Sequence, residues 1–113
     1  MTKREQYGLE FYKSKDPIDG SIIHVCNRCG VINEYNVLQI IQQLNQTETQ
    51  SLIDEINNAL HGQYYEQYFV TDGTEHESIE LNFPNIIFGE NDLVISMQDF
   101  KAMLQEWLTF IRS

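Results

Sequence analysis

Hydrophobic spacing along the chain changes period three times. Near the start, Tyr7, Leu9 and Phe11 alternate with Gly8, Glu10 and Tyr12, the two-residue period of a strand with one buried face. Asp16-Pro17 and Asp19-Gly20 then signal a turn, and Ile22, Ile23 and Val25 suggest a second short strand ending before the cysteines. From Asn33, a candidate N-cap, the period lengthens. Val37, Leu38, Ile41 and Leu44, with Ile40 beside them, fall on one helical face. A second helix is expected from Thr47, whose hydroxyl can cap while Gln50 reaches back. Its apolar face is Leu52, Ile53, Ile56, Ala59 and Leu60, and Gly62 stands where a left-handed residue closes a helix. These two elements predict a central helix pair.

Strand chemistry then returns. Tyr64 to Thr71 is aromatic and ends at Asp72-Gly73. Ile79, Leu81 and Phe83 alternate with Ser78, Glu80 and Asn82, and Pro84-Asn85 interrupts them. Ile86 to Phe88 and Leu93 to Ile95 flank Gly89-Glu90-Asn91-Asp92, which predicts a hairpin. The chain closes on an amphipathic helix capped by Ser96, with Asp99 three residues on, where an acid suits the helix dipole. Phe100, Met103, Leu104, Trp107, Leu108 and Ile111 form its stripe, expected to pack on the sheet. The order predicts a single α+β domain over residues 1–113, mostly antiparallel sheet with a central helix pair and a C-terminal amphipathic helix.

With 113 residues, 42% of them hydrophobic, the chain can build one core without disulfides. No apolar run reaches the ~18 residues of a membrane span, and the first residues, Met-Thr-Lys-Arg-Glu-Gln, carry no signal-peptide stretch. A cytoplasmic bacterial protein is the expectation, with no membrane partner.

Charge adds most. Seventeen acids against seven Lys and Arg give a formal net charge of −10. The basic residues are Lys3, Arg4, Lys13, Lys15, Arg28, Lys101 and Arg112, so Cys29 to Phe100 holds none. That stretch contains 12 acids: Glu34, Glu48, Asp54, Glu55, Glu66, Asp72, Glu75, Glu77, Glu80, Glu90, Asp92 and Asp99. They face water, pair with the termini, or meet a cationic partner. Nucleic acid is a poor partner, since phosphate contacts need clustered Lys and Arg. Acidity by itself fits solubility. It also fits an inhibitor that lays carboxylates into a basic groove, such as a nuclease uses for its substrate. The densest stretch for that role is Glu66, Asp72, Glu75, Glu77, Glu80, Glu90 and Asp92, with Tyr64, Tyr65 and Tyr68 nearby. Of the tyrosines, Tyr64 and Tyr68 are the candidate contacts. Tyrosine beside carboxylates is common at interface anchors and equally at home packed on a half-buried strand.

His24-Val25-Cys26-Asn27-Arg28-Cys29 is the one chemistry-like motif. Cys26 and Cys29 suit half a zinc site, which His61, His76 or a second chain would have to complete. A redox pair needs a helix start directly after the thiols and a βαβ setting, and neither is present. Two reduced structural thiols in a turn is the third reading. No metal and no cofactor is expected, and His24 reads as a packed or surface side chain. Catalytic residues are not identifiable: the serines lie in no G-x-S-x-G context, no glycine-rich phosphate loop exists, and abundant acids make any chosen carboxylate pair uninformative. Neither Asp72-Gly73-Thr74-Glu75 nor Gly89-Glu90-Asn91-Asp92 has EF-hand spacing.

Val94-Ile95, Ser96-Met97-Gln98-Asp99-Phe100, Leu104-Gln105-Glu106-Trp107-Leu108 and Phe110-Ile111 resemble the tail of small acidic bacterial immunity proteins, including those of contact-dependent growth inhibition and related polymorphic toxin systems. The likeness covers about residues 78 to 111. It implies a non-catalytic protein that neutralises one cognate basic toxin domain, and it transfers no site residues. The expectation is therefore an immunity or inhibitor protein, monomer or homodimer. The alternative is a small metal-binding or regulatory domain dimerising around Cys26 and Cys29.

Overall fold

In the computed structural model, residues 2–30, 33–69, 79–89 and 93–112 are described. The fold is α+β. A short helix α1 (Lys3–Gln6) leads into strands β1 (Leu9–Lys15) and β2 (Ile22–Arg28), followed by a 3₁₀ helix over Asn33–Gln43 and helix α2 (Gln46–Leu60). Strands β3 (Tyr68–Phe69), β4 (Ile79–Asn82), β5 (Asn85–Phe88) and β6 (Leu93–Ser96) precede helix α3 (Met97–Ile111). All strand pairs are antiparallel. The β1–β2 hairpin is one sheet; β3-β4-β5-β6 is the second, in chain order.

Helix α1 was not anticipated from the apolar pattern, because it buries no side chain. Its signal is Thr2-Lys3-Arg4-Glu5, a capping box in which each end residue satisfies the other's backbone N–H. Tyr7 consequently ends a helix rather than opening a strand. The hairpin follows as the alternation requires. Leu9, Phe11 and Cys26 face inward, with Phe11 directly opposite Cys26. Its turn forms at the expected place: the Asp16 N–H donates to the Ser21 carbonyl at 2.8 Å, and Gly20 takes φ +75°. Ile18 projects from that turn, 94% exposed. At the open end, the Cys29 N–H donates to the Gly8 carbonyl at 2.7 Å, and a Cβ on Gly8 would collide with the Cys29 carbonyl.

Strand β2 does not stop before the cysteines. It runs through Cys26 to Arg28, because Cys26 fills an inward strand position and its N–H is held by Gln42 Oε1 at 3.0 Å.

Of the two elements expected as a central helix pair, α2 is an α-helix and the first is 3₁₀. Buried in the 3₁₀ element are Leu38, Ile40 and Ile41, with Leu44 just beyond its end. Helix α2 starts two residues earlier than expected. Asn45 caps it, accepting from the Glu48 N–H at 2.8 Å, while Glu48 accepts from the Asn45 N–H at 3.1 Å. Asn outranks Thr at this position, and a carboxylate at the third residue complements the dipole better than an amide. The far end closes as anticipated. Gly62 adopts φ +72°, the Gln63 N–H donates to Asn58 and the Gly62 N–H to Ala59, a full Schellman motif.

The strand expected over Tyr64 to Thr71 is reduced to Tyr68–Phe69 among the described residues. The preceding segment is instead tied to α2, where Glu55 Oε2 accepts from the Glu66 N–H at 2.8 Å. Strands β5 and β6 form the expected hairpin. Strand β4 forms too but ends at Asn82, and Phe83, expected inward with Ile79 and Leu81, stands exposed in the turn because Asn82 already pairs with Asn85.

Helix α3 carries the core. Ser96 Oγ caps it by accepting from the Asp99 N–H at 3.1 Å. Met97, Phe100, Met103, Leu104, Trp107 and Leu108 are buried, and Ile111 packs at the margin. The stripe meets the sheet at Phe88, whose ring stands edge-on to Phe100 at 5.1 Å. It also packs against α2, which the apolar pattern alone did not assign as its neighbour. Trp107 is 1% exposed; its ring is edge-on to Phe11 at 5.0 Å, and its Nε1 donates to the Leu44 carbonyl at 3.1 Å.

Two substitutions separate these contributions. Trp107→Ala is expected to destabilise by about 3–5 kcal/mol, through lost burial and the cavity left behind. Trp107→Phe keeps most of the apolar contact but orphans the Leu44 carbonyl, at a cost of about 1–3 kcal/mol. Denaturant unfolding checks both; a Trp107→Phe variant as stable as the parent would show that the hydrogen bond contributes nothing.

Candidate functional site

The polar side chains around the two sheets sort into pairs satisfied within the fold and groups facing out. The first set joins the termini. Glu106 of α3 accepts from the backbone N–H of Lys3 at 3.2 Å and of Arg4 at 3.5 Å, so a side chain of the last helix supplies partners for the first. Arg4 Nε lies 3.8 Å from Glu106 Oε1, and its guanidinium stacks over Phe11 at 4.9 Å. Asp99 receives Tyr7 Oη at 2.7 Å and Lys3 Nζ at 3.1 Å. The phenol of Tyr7, and after it Lys3, holds the Asp99 carboxyl below the usual carboxylate range. Burial, and then the hydrogen bond to Asp99, drives the Tyr7 phenol well above its ordinary value.

The second set is the acidic middle. Of the nine candidate partner residues, Tyr64, Glu66, Tyr68 and Glu80 are described. Asp72, Glu75, Glu77, Glu90 and Asp92 lie outside the described residues. Tyr64 is 81% exposed, and its hydroxyl donates to Glu66 Oε1 at 3.3 Å. Tyr68 and Glu80 are directly opposite across β3 and β4, so they share a face. Glu80 Oε2 accepts from Gln67 Nε2 at 3.3 Å. The structure therefore brings Tyr64 with Glu66, and Tyr68 with Glu80. Sequence reading missed Ile87 and Val94. They continue the Tyr68–Glu80 row across β5 and β6, which only the strand register reveals. Their signal was an outward aliphatic at the same step in two adjacent strands.

Among the described residues the ion pairs are Lys3–Asp99 and Arg4–Glu106. Glu48, Asp54, Glu55, Glu66 and Glu80 take hydrogen bonds from amides, backbone N–H groups or a phenol. Arg28, one of the two basic residues that flank the acidic middle in sequence, stacks over Tyr35 at 5.5 Å.

The two cysteines occupy different environments. Cys26 is buried, and that burial pushes its thiol up to about 12. Cys29 is exposed beyond the end of β2, its Sγ 3.6 Å from Glu10 Oε2. Among the described residues no three His, Cys, Asp or Glu side chains converge as a metal site would require. His24 is half-buried and packs edge-on against Phe110 at 5.4 Å. His61 caps the end of α2, and His76 lies outside the described residues. No helix among the described residues is long and apolar enough to cross a membrane.

Comparison with known protein families, with curated proteins and with solved structures finds no match.

Two measurements follow from this geometry. Asp99 titrates lower in the folded chain than in the unfolded one. Its contribution to stability is therefore complete above the ordinary carboxylate value of about 3.9 and drains away as pH falls through the depressed folded value. Asp99→Asn should thus lose less thermal stability than the parent between pH 5 and pH 3, as roughly bracketed by that value; parallel melting curves would refute the linkage. Iodoacetamide at mildly alkaline pH should modify Cys29 in the folded protein and reach Cys26 only on unfolding. Mass spectrometry distinguishes the two, and prompt double labelling would contradict the burial of Cys26.

Proposed function

We propose that this chain is a non-catalytic immunity or inhibitor protein. It acts inside the cell by covering a basic cognate toxin domain, a nuclease by the charge logic, with an acidic surface. One observation carries the reading. Lys3 and Arg4 are engaged with Asp99 and Glu106, whereas Glu66 and Glu80 hold only neutral donors among the described residues. Carboxylates in that state can accept more hydrogen bonds, and a partner's guanidinium or ammonium groups would supply them. A groove shaped for phosphates is lined by such groups. Tyr64 and Tyr68 support the same reading, since exposed tyrosines beside acids offer contact area at small entropic cost. Asp72, Glu75, Glu77, Glu90 and Asp92 add to the negative field that speeds encounter, whatever their individual contacts.

The test is co-expression with the basic toxin domain encoded beside this chain. Restored growth is expected, together with a salt-sensitive association rate for the purified pair. The double reversal Glu66→Lys with Glu80→Lys should slow association about tenfold or more at low salt. The free protein's melting temperature should change little, because neither residue has an ion pair to lose among the described residues. Toxicity unrelieved by the unchanged protein would sink the reading. Binding with no salt dependence would remove its electrostatic basis.

A further inference from the structure

We infer that the outward face of the four-stranded sheet, centred on the cross-strand row Tyr68, Glu80, Ile87 and Val94, is the surface against which a cationic protein partner docks. This rests on the inhibitor reading and assigns it a place. Register defines the row: Tyr68 is opposite Glu80, Glu80 opposite Ile87, and Ile87 opposite Val94. Residues directly opposite in an antiparallel sheet share a face, and neighbours along a strand take the other. The adjoining residues Ile79, Phe88 and Leu93 are accordingly buried, with Phe88 set against Phe100 of α3. Helix α3 thus occupies one face, and the row stands on the opposite one. Tyr68 is 59% exposed and Val94 49%, with Glu80 and Ile87 half-buried between them.

Two aliphatic side chains and a tyrosine around one carboxylate match the middle of a protein interface, where aromatics are enriched and charges are few. At ~4.8 Å between strands the row spans roughly 15 Å. That is the size of an energetic centre within a standard interface of ~800 Å² per partner.

Charge selects the occupant. A second copy stacked on this face would set Glu80 against an equally acidic surface and bring together two chains of net charge −10. An anionic partner meets the same repulsion. An arginine fits: its guanidinium can pair with Glu80 and lie over the Tyr68 ring, while its methylene stem rests on Ile87. The partner is therefore a protein surface with at least one arginine or lysine among apolar side chains.

The probe is the toxin domain whose toxicity the unchanged protein relieves. Val94→Lys should weaken affinity at least tenfold, chiefly by faster dissociation, with an unchanged melting curve because the side chain faces out. Glu80→Gln should weaken binding and flatten its salt dependence while preserving shape, which keeps the proposal testable should Val94→Lys perturb the fold. Ile18→Lys, at the hairpin turn remote in sequence from this sheet, should bind as the parent does. If the parent binds and both Val94→Lys and Glu80→Gln bind equally well, docking occurs elsewhere and the inhibitor reading survives alone. A parent that does not bind at all removes both. A homodimer in sedimentation that Val94→Lys dissolves would assign this face to self-association and overturn the proposal.

Discussion

The indole of Trp107 is the point on which the other elements converge. Its ring packs edge-on to Phe11 of the first hairpin and lies beside Phe110 of its own helix. Its Nε1 donates to the carbonyl of Leu44, the residue between the 3₁₀ helix and the Asn45 cap of α2. One side chain thereby joins the hairpin, the 3₁₀–α2 junction and α3. The junction needs such a partner. A carbonyl at the end of one helix and just before the cap of another has no place in either ladder, and in a buried setting an unpaired carbonyl is costly. Satisfying it from α3 fixes where α2 begins relative to α3, and so the packing of the two helices.

A second constraint is electrostatic. The chain concentrates its cations near the ends and its acids in the middle, and the fold uses the N-terminal cations close to home. Lys3 and Arg4 sit against Asp99 and Glu106 of α3, with the backbone of α1 also donating to Glu106. Exposed ion pairs of this kind contribute little energy individually. Their effect here is positional: four contacts through two carboxylates hold a helix that buries no side chain of its own. Among the described residues, Glu48, Asp54, Glu55, Glu66 and Glu80 of the middle are left to neutral donors. The two cysteines take no part in this arrangement, since one is buried in the hairpin's inner face and the other lies outside it.

Much of this was readable from local pattern. The α+β class, the Asp16 to Gly20 turn, the Gly62 closure, the β4 to β6 meander and the capped α3 stripe each depend on residues within a few positions of one another, where periodicity and turn chemistry act directly. The errors share a cause as well. Thr47 was a sound local cap, yet Asn45 won with Glu48, a choice between two nearby boxes that differ by about 1 kcal/mol or less. The strand at Ile22 appeared to stop before Cys26, yet continued because Gln42, sixteen residues on, holds the Cys26 N–H.

By itself the sequence determined the order of elements, the buried faces and the separation of basic ends from an acidic middle, since all three follow from short-range spacing and composition. Tertiary structure decided what meets what. The register across β3 to β6 aligned Tyr68, Glu80, Ile87 and Val94, residues spread over 27 positions, into one outward row. Packing chose α2 as a neighbour of α3. The physical reason is the same in each case. Pairing register and helix–helix contact depend on distant side chains fitting together, and no local pattern along the chain encodes which distant partner will supply the fit.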